Sequence, residues 1–169
     1  AEVVGERREH QAVVAQDQPG RDGLYRRRET REVIERMLRQ ARAAGFKLIL
    51  DIQTGRSTVL CEMGYLASYL AEPDVYLALD PEFSMGDAGV PGRRIGQMPA
   101  REVNDAIAVL ESVIDRHDLP PKVLIVHQFT TGMLPDKEAI SSSRRIDVVL
   151  DMDGFGSPAL KRHTYKTVL

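Results

Sequence analysis

Tryptophan is absent from this chain, aromatic residues make up 5% of it, and cysteine occurs once, at position 61. A lone cysteine excludes an intrachain disulfide and leaves the redox compartment open. The scarcity of rings removes much of the surface on which sugars usually stack. Excess charge of one sign is missing as well. Acidic and basic residues nearly cancel, to a formal net charge of −2, so the chain lacks the basic footprint of a nucleic-acid binder. No apolar run approaches the roughly 20 residues of a membrane-spanning helix. The four histidines fall in no H-x-H or H-E-x-x-H spacing, which speaks against a zinc signature. Phosphate-cradling G-x-x-x-x-G-K-[ST] and G-x-G-x-x-G motifs are lacking, and so is a G-x-S-x-G nucleophile elbow.

What the chain does have is a recurring acidic ending. Apolar runs close on Asp51-Ile52-Gln53, on Asp80-Pro81-Glu82 and on Asp151-Met152-Asp153. Two further runs fit the same frame, with His127 followed by Gln128 and Phe129, and with Gln16 followed by Asp17 and Gln18. Short β-rich apolar runs of this kind predict buried parallel strands, here about 12–16, 47–52, 75–79, 122–127 and 146–151. Between them the pattern predicts helices over about 30–44, 58–71 and 100–117, a short helical piece near 135–140 and another helix from about 159. Thr30 is the expected cap of the first helix, with Gly45 at its end, and Ser57 the expected cap of the second. Cys61 is expected in the core. Arg26-Arg27-Arg28, followed by Glu29, Glu32 and Glu35, reads as the solvated start of a helix.

With 169 residues, 43% of them hydrophobic, the chain suffices for one domain. Strands alternating with helices predict an α/β fold with a parallel sheet. Polar groups at all five strand ends favour a partial or truncated TIM-type (β/α) barrel, where every strand end faces one mouth. An open doubly wound sheet is the alternative. The chain starts at Ala1 and stops on Val168-Leu169. The expectation is a single domain over 1–169, cut short at both ends relative to a longer protein.

Residues two apart on a strand share a face. The expected site is therefore built from Gln16, Asp51, Gln53, Asp80, Glu82, His127, Gln128, Asp151 and Asp153. Glycoside hydrolysis needs two carboxyl groups flanking the bond. Glu82 is the expected acid, Asp151 or Asp153 the base or nucleophile, and Gln16, Asp51, Gln53, Asp80, His127 and Gln128 bind substrate. Pro81 is expected to hold Asp80 and Glu82 extended and parallel. A second possibility is a non-catalytic barrel that binds a carbohydrate or other ligand. A third is a metal-assisted hydrolase using Asp51, Asp80, His127 and Asp151, with a carboxylate site of the Mg²⁺ or Ca²⁺ type and not zinc. No motif demands a cofactor or a dedicated metal, and none is expected. The loop over about 83–98, with Arg93 and Arg94, reads equally as a lid or as a surface excursion. Partners expected are a small molecule or glycan, with no nucleic acid and no transmembrane segment.

Leu77-Ala78-Leu79-Asp80-Pro81-Glu82-Phe83, Val90-Pro91-Gly92, Val126-His127-Gln128-Phe129 and Asp153-Gly154-Phe155-Gly156, with the Asp17–Tyr25 segment, resemble a family of uncharacterised bacterial proteins that often carry an export or lipoprotein signal. The resemblance covers nearly the whole chain. It implies a glycoside-hydrolase-like barrel and an extracytoplasmic location. Asp80-Pro81-Glu82 is also similar to the D-x-E pair of lysozyme-type muramidases.

Overall fold

The computed structural model describes residues 7–152 and 157–168. Its elements follow in the order β1 (Arg7–Ala15), β2 (Arg26–Arg28), α1 (Arg31–Ala43), β3 (Lys47–Ile52), α2 (Val59–Leu70), β4 (Val75–Leu79), α3 (Ala100–His117), β5 (Lys122–Gln128), β6 (Ile146–Met152) and α4 (Pro158–Val168). Short 3-10 turns occupy Pro81–Phe83, Thr131–Met133 and Lys137–Ala139. The expected α/β class is observed, and the five expected strands and the long helices are all present. The short helical piece expected near 135–140 is reduced to the last of the 3-10 turns.

Local chemistry explains the boundaries. The Thr30 side chain accepts a hydrogen bond from the Val33 amide, capping α1. At the other end Gly45 takes φ +74°, its N–H reaching the Arg42 carbonyl and the Phe46 N–H the Ala41 carbonyl. These are the two bonds of a Schellman ending. The cap of α2 is Thr58, which accepts from Cys61 N, one residue beyond the expected Ser57. α3 begins after Pro99, and its first amide, Ala100 N, is satisfied from afar by Asp136 Oδ1 at 2.8 Å.

The six strands lie in the order β2-β1-β3-β4-β5-β6. β1 pairs antiparallel with β2, and every other neighbouring pair is parallel. The sheet is not closed: β2 and β6 are its edges. From β1 onward, leaving β2 aside, spatial order repeats chain order. One face carries Leu48, Leu50, Ile52, Leu77, Leu79, Leu124 and Val126, packed in a single core with apolar residues of α1, α2 and α3. The other face carries a smaller buried cluster of Ile49, Tyr76, Ala78, Val123 and Ile125. This second face holds the alternate residues of the same strands.

β2 overturns one expectation. Arg26–Arg28 is an edge strand and not a helix start, because Arg26 and Arg28 turn inward onto Glu62, a carboxylate of α2 with no solvent exposure. Cys61 is exposed, and not in the core, with its sulfur 3.5 Å from Arg28 Nη2. The 83–98 loop is tied down at several points. Met85 and Met98 are buried, Met85 N donates to the Gly55 carbonyl, and Arg94 Nη2 reaches the Met85 carbonyl at 2.7 Å. A Cβ on Gly96 would lie 2.5 Å from the carbonyl oxygens of Pro81 and Ser84. Only glycine allows that approach.

Lys122 opens β5 and is 1% exposed, its Nζ donating to the carbonyls of Glu72 and Val75, both at 2.7 Å. Burial pushes its pKa down to about 8, below the value of about 10.4 expected in an unfolded chain. The unfolded state therefore binds more protons between these two values, and stability rises with pH across that window. Between pH 8 and 9 the wild type is expected to gain about 1 kcal/mol relative to Lys122→Met, read as the difference in urea midpoints. Parallel pH profiles for the two proteins would refute this.

Candidate functional site

Asp51, His127 and Asp151 sit near the C-terminal ends of β3, β5 and β6, and all three face away from the helix-packed core. Register fixes this. His127 is directly opposite Asp151 across the β5–β6 ladder. Asp51 alternates with Leu50 and Ile52 of the main core, as His127 alternates with Val126 and Gln128. A fourth group joins them from β1, the carboxylate of Glu9.

One ligand-capable atom each of Glu9, Asp51 and His127 lies within 4.8 Å of the other two. His127 Nε2 is 3.3 Å from Glu9 Oε1, and His127 Nδ1 is 3.5 Å from Asp151 Oδ2. Glu9 pairs with Ile49 on β3, a row below Asp51, while His127 stands a row above the Ala78–Ile125 pair. The three groups thus descend a diagonal of the twisted sheet and skip β4. There, Ala78 contributes only a methyl group to this face and leaves room for the longer side chains to meet.

Burial grades the cluster. Asp51 and His127 are almost wholly enclosed, whereas the Glu9 and Asp151 side chains are 39% and 51% exposed. Asp51 Oδ1 accepts no hydrogen bond from any described residue. Burial, reinforced by the charge of Asp80, raises the Asp51 pKa well above the usual carboxylate value; Glu9 adds to this, while His127 and a backbone hydrogen bond at Ile52 oppose it.

Asp80 is held in place on both oxygens. Oδ1 accepts from Glu82 N at 3.2 Å and Oδ2 from Gln53 Nε2 at 3.2 Å. Gln53 in turn accepts from Ala15 N at 3.0 Å, linking the ends of β1, β3 and β4. Asp80 therefore caps the turn that follows it. Pro81–Phe83 is a 3-10 turn, so the expected extended Asp80–Glu82 pair with parallel side chains is not what forms. Pro81 does keep Asp80 itself near-extended, at φ −114° and ψ 90°. The turn bearing Glu82 packs against β5, the strand of His127.

The other expected residues are placed differently. Gln128 follows His127 on an extended strand, so it projects to the helix side, fully buried, with Nε2 donating to the Thr130 carbonyl. The structure does not bring it to the cluster. Gln16 lies just past β1 and folds its amide onto the Ala15 carbonyl at 2.9 Å. Asp153 lies outside the described residues. Glu9 was not foreseen because Arg7-Arg8-Glu9-His10-Gln11 reads as a polar lead-in. Its one signal is the period-two placement of Glu9 and Gln11 ahead of the apolar run.

Comparison with protein-family models, with curated proteins and with solved structures finds no match. Among the described residues, no helix is long and apolar enough to cross a membrane.

Proposed function

We propose that this chain forms an arc of a (β/α) barrel and hydrolyses a carbohydrate, such as a glycan of the cell envelope, at the C-terminal ends of β3 to β6. The observation that carries the reading is the gathering of Asp51, His127 and Asp151, with Glu9, on the face of the sheet opposite α1, α2 and α3. Strands that follow chain order with these helices on one side are how a barrel is wound, whereas a doubly wound sheet reverses direction and carries helices on both faces. Inward-facing polar groups at strand ends then occupy the position of a barrel's active site.

In this reading Glu82 donates the proton to the leaving oxygen. The Asp80 carboxylate fixes its backbone, and the turn's packing on β5 keeps it at the same end of the sheet. Asp151, half exposed beside His127, serves as the base or nucleophile. The resemblance to exported bacterial proteins supports a cell-envelope substrate and an extracytoplasmic location.

Peptidoglycan fragments and a panel of glycans, incubated with the protein, test the proposal through release of reducing ends. Glu82→Gln is expected to lower turnover by about 100-fold or more while leaving substrate binding within a few-fold, as loss of a general acid does. Binding by the wild type with no turnover would favour a carbohydrate-binding role instead. Neither binding nor turnover would remove the proposal.

A further inference from the structure

We propose that Glu9, Asp51 and His127 form a binding site for a first-row divalent transition-metal ion, Zn²⁺ or Mn²⁺. Ligands held about 2.0–2.2 Å from one ion lie roughly 3.0–3.5 Å apart when adjacent. His127 Nε2 and Glu9 Oε1, at 3.3 Å, already stand at that separation. The third ligand atom, from Asp51, lies within 4.8 Å of both, so closure on an ion needs only small side-chain adjustment.

The buried Asp51 oxygen is the independent sign of a ligand. It lies inside the protein, on the carboxylate that comes within 4.8 Å of the other two groups, and no described residue donates to it. A buried carboxylate oxygen without a donor is costly, and a cation supplies what is missing. Asp151 completes the arrangement from behind. Its Oδ2 lies 3.5 Å from Nδ1, the ring nitrogen of His127 that is not beside Glu9, so a small shift brings it within hydrogen-bond range. A metal-bound histidine characteristically directs its second nitrogen at such a group, which fixes the tautomer and strengthens the ligand. Two carboxylates with one imidazole suit Zn²⁺ or Mn²⁺ better than Mg²⁺ or Ca²⁺, which prefer oxygen alone. Three protein ligands also leave a coordination position open to water or substrate, the mark of a catalytic rather than a structural site.

The inference rests on the geometry of these three side chains and not on the glycan reading, and metal binding is measured without substrate. Protein stripped with chelator is titrated with Mn²⁺, followed by the electron-spin signal of the free ion, and with Zn²⁺ by calorimetry. One equivalent is expected to bind. Affinity should fall at least 100-fold in Asp51→Asn, at least tenfold in Glu9→Gln, and about tenfold in Asp151→Asn, where a positioning group and not a ligand is lost. Glu9 is partly exposed, so Glu9→Gln keeps the test sound if a buried variant misfolds. Three results would each overturn the assignment: no stoichiometric binding, binding unchanged in Glu9→Gln and Asp51→Asn, or binding of Mg²⁺ as tight as that of Mn²⁺ and Zn²⁺.

Discussion

Glu62→Gln is expected to lower the melting temperature by about 6–20 °C. The Glu62 side chain has no solvent exposure and accepts from Arg26 Nε at 2.9 Å, from Arg28 Nε at 2.7 Å and from the Ser57 hydroxyl. Removing one partner of a buried ion pair strands the other and costs about 3–5 kcal/mol. In a chain of this length each kcal/mol moves the midpoint by about 2–4 °C. An amide keeps the shape but loses the charge that balances two guanidinium groups. The acid limb should change too. Burial alone would raise the Glu62 pKa, but the bonds from Arg28, Ser57 and Arg26 outweigh it and leave the pKa below its ordinary value. A lowered folded-state pKa means stability that is complete above about pH 4.5 and lost as pH falls through the folded value. Thermal unfolding followed by circular dichroism at pH 3 to 7 reads both effects. The difference between wild type and variant should shrink in acid, and because the carboxylate is enclosed it should respond weakly to salt. A midpoint within about 2 °C of wild type at pH 7 would mean that β2 is held by something else.

That same carboxylate shows where reading the residues alone reaches its limit. The strands β3, β4 and β5 are legible because, Lys47 apart, every residue on them is buried and most are apolar, and the bounds of α1 are legible because Thr30 and Gly45 act within one turn of themselves. Both signals are local. Arg26 and Arg28 look like solvated charge because their partner lies 36 and 34 residues away, on a helix not yet written when the arginines are read. The position of Cys61 follows from the same contact: once Glu62 turns inward, its neighbour is left at the surface. At the site, Asp51, His127 and Asp151 are legible by their strand-end position. Glu9 is not, since only sheet twist brings a residue of β1 diagonally across to β5. Asp80 is a mixed case. Its strand end is legible, but its carboxylate spends one oxygen on capping the turn and the other on Gln53, and a three-residue motif does not reveal that division.

Asp51→Asn should raise the stability of the metal-free protein while removing metal binding, so that the two effects of one substitution oppose each other. Asp51 is 2% exposed, and burial together with Asp80 raises its pKa well above the unfolded value of about 3.9. In the window between those two values the folded state holds the proton that the unfolded state has released. Stability therefore falls as pH rises from about 4 toward the folded value, and the loss persists at neutral pH. Asparagine carries no charge to desolvate. Each pH unit between the unfolded and folded pKa values is worth about 1.4 kcal/mol, or a midpoint about 3–6 °C higher for the variant in chelator at pH 7. At pH 3 the two proteins should melt close together, since Asp51 is then largely protonated in both folded and unfolded chains. Adding Mn²⁺ or Zn²⁺ should reverse the order. An ion that binds the folded wild type alone raises its midpoint with concentration, and the variant, short of its most buried ligand, should not follow. A variant less stable than wild type in chelator across pH 4 to 8 would show that Asp51 is a structural anchor with donors of its own.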